Sequence, residues 1–177
     1  YPSLADRKLV NMTMLDLVDE VSRETPAPGG GSVAAVASAL GAGLASMVAG
    51  LTIYKKGYES VAEDMGRIGE EAQQVKAALV RGVDDDTDAF NTYFEALRMP
   101  KKSPAEKTAR EAAMQEGLKL AVNVPLKTAR DSLETIRLCG EVVANVLGFS
   151  NIDDDGQDGR LDADEHGGDE RHLSERG

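Results

Sequence analysis

Apolar residues recur at steps of three and four through most of this chain, and the alternation that marks a half-buried strand is nearly missing. Met12 to Glu24 reads as a short amphipathic helix with Met14, Leu17, Val18 and Val21 on one face. Thr25-Pro-Ala-Pro-Gly-Gly-Gly31 must end it, because prolines bar a continued helix and glycines accept almost any dihedral. Ser32 is then expected to cap a helix running to about Tyr54. Val33, Val36, Leu40, Leu44, Met47 and Leu51 form its apolar stripe, and Ala, Gly and Ser fill nearly every other position. A third helix is predicted from about Tyr58 to Leu97, with Gly66 and Gly82 as candidate interruptions. Met99 to Pro104 is a turn. Ser103 caps a fourth helix with Pro104 at its first position and Glu106 completing a capping box. That helix extends to about Leu147, with a candidate kink at Pro125. No internal repeat is visible. The pattern predicts one all-α domain over residues 1–149, an antiparallel helical bundle.

Composition refines this picture at three points. Of the 177 residues 41% are hydrophobic but only 4% aromatic, with no tryptophan, so the core must be aliphatic. The formal net charge is −11, of which residues 150–177 carry −7, leaving a mildly acidic body and an acidic tail expected to be disordered. Asp154 to Glu165 in that tail approaches a calcium-loop pattern, but Gly156 stands where a ligand is needed, so an unstructured tail is the preferred reading. The acidic balance argues against nucleic acid as a partner, since phosphate binding needs clustered Lys and Arg. The single cysteine, Cys139, excludes an internal disulfide framework and points to a reducing, cytoplasmic setting. The first residue is Tyr1, as expected of a segment excised from a longer chain, and no signal-peptide pattern is seen. Gly29 to Tyr54 carries no charge, so a membrane span is conceivable by length. Large aliphatics are few there and no aromatic belt or upstream basic cluster flanks it, so the expected reading is a core or dimer helix of a soluble protein, with no membrane partner.

Two segments could carry chemistry. In Asp84-Asp85-Asp86-Thr87-Asp88, most acids should form a solvated face. Asp86, however, falls on the apolar face shared by Val75, Leu79, Val83, Phe90, Tyr93 and Leu97. A carboxylate in an apolar seam is costly unless it is partnered or exchanges a proton. Two readings stand side by side from geometry: a structural salt bridge, or a general acid-base made effective by burial and neighbouring like charge. The second segment is Pro26-Ala-Pro28-Gly29-Gly30-Gly31-Ser32, leading straight into a helix N-terminus. Backbone amides and the helix dipole there suit an anion, although a plain inter-helix turn has the same composition. It is neither a Walker loop nor a GxGxxG fingerprint. His166 and His172 both lie in the tail, so the body cannot run a histidine-based nucleophilic mechanism, and no residue cluster suits zinc. Lys55-Lys56 and Lys101-Lys102 are basic pairs of the kind a polyanionic substrate would use.

Several ordered motifs match a known family. They are Thr25-Pro-Ala-Pro-Gly-Gly-Gly-Ser-Val-Ala-Ala35, Met47-Val-Ala-Gly-Leu-Thr52, Val83-Asp-Asp-Asp-Thr-Asp-Ala-Phe90, Leu97-Arg-Met-Pro-Lys101, Gln115-Glu-Gly-Leu118 and Val124-Pro-Leu126. Over about residues 9–138 the chain resembles the cyclodeaminase/cyclohydrolase family, that of the C-terminal domain of formimidoyltransferase-cyclodeaminase. The resemblance implies an all-helical homodimer that closes 5-formimidoyltetrahydrofolate to 5,10-methenyltetrahydrofolate with release of ammonia, in histidine degradation. It implies that Asp86 is the catalytic proton acceptor and that no metal or redox cofactor is needed. Pro28, Gly29, Gly30, Gly31, Ser32, Lys55 and Lys56 are expected to hold the folate, in mono- or polyglutamylated form. Relative to the family the C-terminal part is incomplete, with Phe149 and the acidic tail in place of a further helix. Tyr54 stands where relatives commonly have glycine. The alternatives are methenyltetrahydrofolate cyclohydrolase and an inactive helical dimerisation module.

Overall fold

The computed structural model describes residues 8–148, so the expected tail disorder and the calcium-like segment lie outside the described residues. Four helices follow one another: α1 (Met14–Val21), α2 (Gly30–Ile53), α3 (Ala62–Arg98) and α4 (Pro104–Leu147). Short 3-10 turns at Leu9–Asn11 and Glu59–Val61 precede α1 and α3. Among the described residues there is no strand. The all-α expectation is therefore met.

The long helices form a three-helix bundle. Ser32 near the start of α2 meets Asp86 in the second half of α3, and Ala49 packs with Gly69 near the start of α3, so α2 and α3 run antiparallel. Arg67 reaches Glu141 while Gly117 abuts Tyr93, so α3 and α4 are also antiparallel. The core concentrates where Met65, Ile68 and Ala72 of α3 meet Ala45 and Ala49 of α2 and Leu138 and Val142 of α4. Full burial of Met65, Ile68 or Leu138 stabilises the fold by about 1.5–3 kcal/mol per side chain. A second, smaller cluster of Leu9, Ala35 and Val83 anchors the N-terminal segment, helped by the Leu9 amide donating to Asp84 Oδ1 at 2.7 Å.

Local signals set the helix ends with different success. The capping box forms as expected: Glu106 N donates to Ser103 Oγ, and Ser103 N donates to the Glu106 carboxylate. α3 passes through Gly66 and Gly82 without a break, and α4 continues through Pro125. Tertiary packing along both faces outweighs a single local breaker of each helix. α1 is shorter than predicted, with Thr13 accepting from Asp16 N as its cap.

Two expectations about α2 are corrected. Its cap is Gly29, not Ser32, and the helix begins at Gly30. Of the large-residue stripe, Val36 packs against the smaller cluster while the rest faces away from the core. Ala35, Ala39, Ala42, Ala45 and Ala49 are buried, whereas Val33, Leu40, Leu44, Met47 and Leu51 are exposed, Leu44 to 58%. Alanines let two neighbouring helix backbones approach closely, and a leucine seam in the same place would hold them apart. Toward the start of α2 the contact with α4 is made by small and polar residues, with Ser38 Oγ donating to Ser132 Oγ at 2.7 Å and Gly41 against Thr135. By length and composition α2 is also long and apolar enough to cross a membrane.

Candidate active site

The four aspartates at 84–88 are sorted by helix geometry into different environments. Asp85 and Asp88 are exposed, Asp84 ties down the Leu9 amide, and Asp86 is half-buried against the start of α2. There Asp86 Oδ2 accepts the Ser32 backbone N–H at 3.0 Å and the Ser32 hydroxyl at 3.3 Å. That hydroxyl is buried and shares its one proton between Asp86 and the nearer Val83 carbonyl at 2.8 Å, with Thr87 Oγ1 3.3 Å away. The first N–H groups of a helix have no partner within it, and Gly29 offers no side chain to cap them. Asp86 therefore acts as the acceptor for α2 from a neighbouring helix, and the positive end of the helix dipole attracts its charge.

The glycines explain how the carboxylate gets so near. A Cβ on Gly31 would overlap the Asp86 carboxylate outright, and one on Gly29 would lie 3.6 Å from Asp86 Oδ2. Gly30 faces open space. Pro28 is buried beside them, joined to Ala27 by a cis peptide bond. Among the described residues Asp86 forms no ion pair, so the structural salt bridge weighed from the sequence has no partner there.

Most of the site expected from the sequence is thus assembled in one place: Pro28, Gly29, Gly30, Gly31, Ser32 and Asp86. Lys55 and Lys56 are not part of it. They follow the far end of a 24-residue helix, about 36 Å from the glycines at 1.5 Å per residue. Lys55 lies instead over the Tyr58 ring at 4.6 Å. Among the described residues no cluster of three His, Cys, Asp or Glu side chains could hold a metal ion. Sequence reasoning missed the open cleft next to the loop, of about 550 Å³, lined by Thr25 to Ala27 and by Phe90, Phe94 and Arg98 of α3. Phe90 and Phe94 at i and i+4 were the available signal.

The sequence pattern described as Formiminotransferase-cyclodeaminase matches residues 13–155. The chain belongs to this family. Within it, the chain is 39% identical over 146 residues to the methenyltetrahydrofolate cyclohydrolase of Methylorubrum extorquens, covering 82% of this chain and 70% of that protein. It is 38% identical over 143 residues to the formimidoyltransferase-cyclodeaminase of Sus scrofa, covering 77% of this chain but only 26% of that longer protein. The fold is similar to the crystal structure of formiminotetrahydrofolate cyclodeaminase from Thermotoga maritima, with a TM-score of 0.55, 30% identity and 77% of each chain covered. In this family member, the Asp86 seat brings a half-buried carboxylate onto a backbone amide at the start of a neighbouring helix.

Proposed function

We propose that this chain is a formimidoyltetrahydrofolate cyclodeaminase in which Asp86 moves the proton. The observation that carries the reading is the Asp86 carboxylate, held on the Ser32 amide and hydroxyl over a glycine where no side chain fits. In the reaction N10 of the folate attacks the formimidoyl carbon on N5, forming the N10–C bond. The attacking nitrogen loses its proton to Asp86, and Asp86 returns it to the former imine nitrogen. The C–N bond to that nitrogen then breaks, ammonia leaves, and 5,10-methenyltetrahydrofolate remains. The formimidoyl group enters as its amidinium cation (–CH=NH2+), so the one shuttled proton makes the leaving nitrogen NH3 and the positive charge ends on the methenyl group, with no external oxidant. A positioned acid-base of this kind contributes roughly 10²–10⁴-fold to the rate.

The glycine turn supports close approach of the substrate to the backbone around Pro28 and Ser32. With this activity the chain would serve histidine breakdown and one-carbon metabolism in the cytoplasm, as the family resemblance implies. A cyclohydrolase reading is favoured by one observation, the 39% identity to a protein of that name. It would use the same carboxylate to deliver water to the methenyl carbon. The test is turnover of 5-formimidoyltetrahydrofolate followed by absorbance of the methenyl product together with ammonia release. Methenyl product with ammonia supports the cyclodeaminase. Hydrolysis of supplied methenyltetrahydrofolate without ammonia-releasing turnover supports the cyclohydrolase. No folate turnover by a folded dimer supports the inactive module. Asp86→Asn should cut turnover at least a hundredfold with the far-ultraviolet helical signal unchanged; near-normal turnover would refute the role.

The exposed stripe Val33, Leu40, Leu44, Met47 and Leu51 supports a homodimer. Leu133, Ile136 and Val143 of α4 are exposed as well. Leu44→Glu is expected to yield monomers in sedimentation, and an unchanged dimer would place the contact elsewhere.

A further inference from the structure

The cleft beside the glycine turn has no role in the proton transfer, yet its walls are suited to one part of a folate. Phe90 and Phe94 form a continuous aromatic wall, their ring centroids 4.8 Å apart and tilted by 32°. Phe94 remains partly exposed to the cleft. Arg98, the last residue of α3, is the one basic group among the lining residues, its guanidinium carbon 5.9 Å from the Phe94 centroid. Among the described residues Arg98 makes no ion pair, although Glu95 lines the same cleft one turn earlier. A planar, always-charged fork parked over an aromatic ring is arranged to take a carboxylate.

Continuity with Asp86 fixes what kind of ligand reaches it. Phe90 lies one helical turn beyond Asp86, and Phe94 one turn further. The twelve-residue step from Asp86 to Arg98 spans about 18 Å along the axis. Helical side chains lean toward the N-terminus, so the Arg98 guanidinium hangs back toward the Phe94 ring. The opposite wall, Thr25 to Ala27, runs straight on into Pro28 and Gly29 at the Asp86 seat. At ordinary bond lengths the aminobenzoyl-glutamate arm of a folate spans on the order of 10 Å from N10 to its α-carboxylate. With the guanidinium drawn back to the Phe94 ring, whose residue lies about 12 Å along the axis from Asp86, that span suits reacting atoms at Asp86, a benzene ring on the phenylalanines and the carboxylate at Arg98. Asp88 and Glu95 line the cleft too and disfavour an anion elsewhere in it, so the negative end of the ligand is confined to the arginine.

We infer that the Phe90–Phe94–Arg98 cleft binds the aminobenzoyl-glutamate arm of the substrate, Arg98 pairing with its first glutamate. This rests on the folate reading above and replaces the lysine pair at 55–56 as the anchor for that carboxylate. The experiment is calorimetric binding of 5-formyltetrahydrofolate, a stable analogue, and of the same compound lacking glutamate, to the full 177-residue chain. Arg98→Gln should weaken the glutamate-bearing ligand by about ten- to a hundredfold, the loss expected for one charge-assisted bidentate contact, and leave the truncated ligand unaffected. Phe94→Ala should weaken both ligands alike. Equal affinity of Arg98→Gln and the parent chain for the glutamate-bearing ligand would overturn the inference while leaving the folate reading intact. No binding of either ligand to the parent chain would overturn both.

Discussion

Gly31 is the position where chemistry and stability part most cleanly. Alanine favours helix over glycine by about 1 kcal/mol, so Gly31→Ala gives nothing away in backbone terms. Its methyl group, however, would occupy the space of the Asp86 carboxylate. The expected outcome is a folded protein, unchanged in helical content, with turnover reduced at least a hundredfold; retained turnover would show that the carboxylate works from another rotamer. Gly117 makes the opposite case. A Cβ there would come within 2.8 Å of Tyr93 Cα and 3.0 Å of its backbone nitrogen. Backbone of α3 cannot move aside as a side-chain tip can, so overpacking of about 1–3 kcal/mol exceeds the helix-propensity gain. Gly117→Ala should lower the urea midpoint, and an unchanged midpoint would mean that α3 and α4 slide apart freely. Asp86 was legible in the sequence because helical period alone places it on the face of Val83 and Phe90. Its partner was not, because nothing local says that the Ser32 amide of another helix will supply the hydrogen bond.

Between elements, α3 and α4 are joined outside the core by an ion network. Arg137 contacts Glu71 at 2.7 Å, Glu134 and Glu141, and Arg67 contacts Glu71 and Glu141 at 3.0 Å each. Hydrogen bonds from Arg67 and Arg137 hold the Glu71 carboxyl below its usual range, and Arg137 does the same to Glu134. A carboxyl depressed in the folded state stabilises the fold fully above its ordinary value of 4.5, and the contribution fades as pH falls through the folded value. Thermal midpoints of the parent chain should therefore drop on acidification below about 4.5, with Arg137→Gln showing a shallower drop. Parallel curves would mean that the network contributes nothing, as exposed pairs often do. The capping box was readable at this scale because three residues suffice to write it. The orientation of α2 was not. Its small and large residues are both apolar, so hydropathy cannot distinguish the two faces, and the choice falls to how closely the helix backbones must approach. Lys55 and Lys56 failed as part of the loop site for a related reason: adjacency in function was read where the chain places a whole helix between.

At the scale of the whole molecule, the bundle divides its labour by position along the axis. Packing density gathers around Met65, Ile68 and Leu138, while Asp86 and the glycine turn sit toward the other end of α2 and α3, near Leu9 and Val83. Substitutions such as Leu138→Ala should cost about 2–5 kcal/mol without changing the affinity of the remaining folded fraction for folate. Loss of ligand affinity in step with stability would show that the two ends are coupled.

The outward leucines of α2 have one last consequence, in mass action. If two chains cover that stripe, folding and pairing become one equilibrium, and the melting temperature must rise with protein concentration. Diluting the sample would then erode the protein without any change in solvent. A chain paired in this way would have a working range set by its own abundance, and Leu44→Glu would detach its stability from its dose.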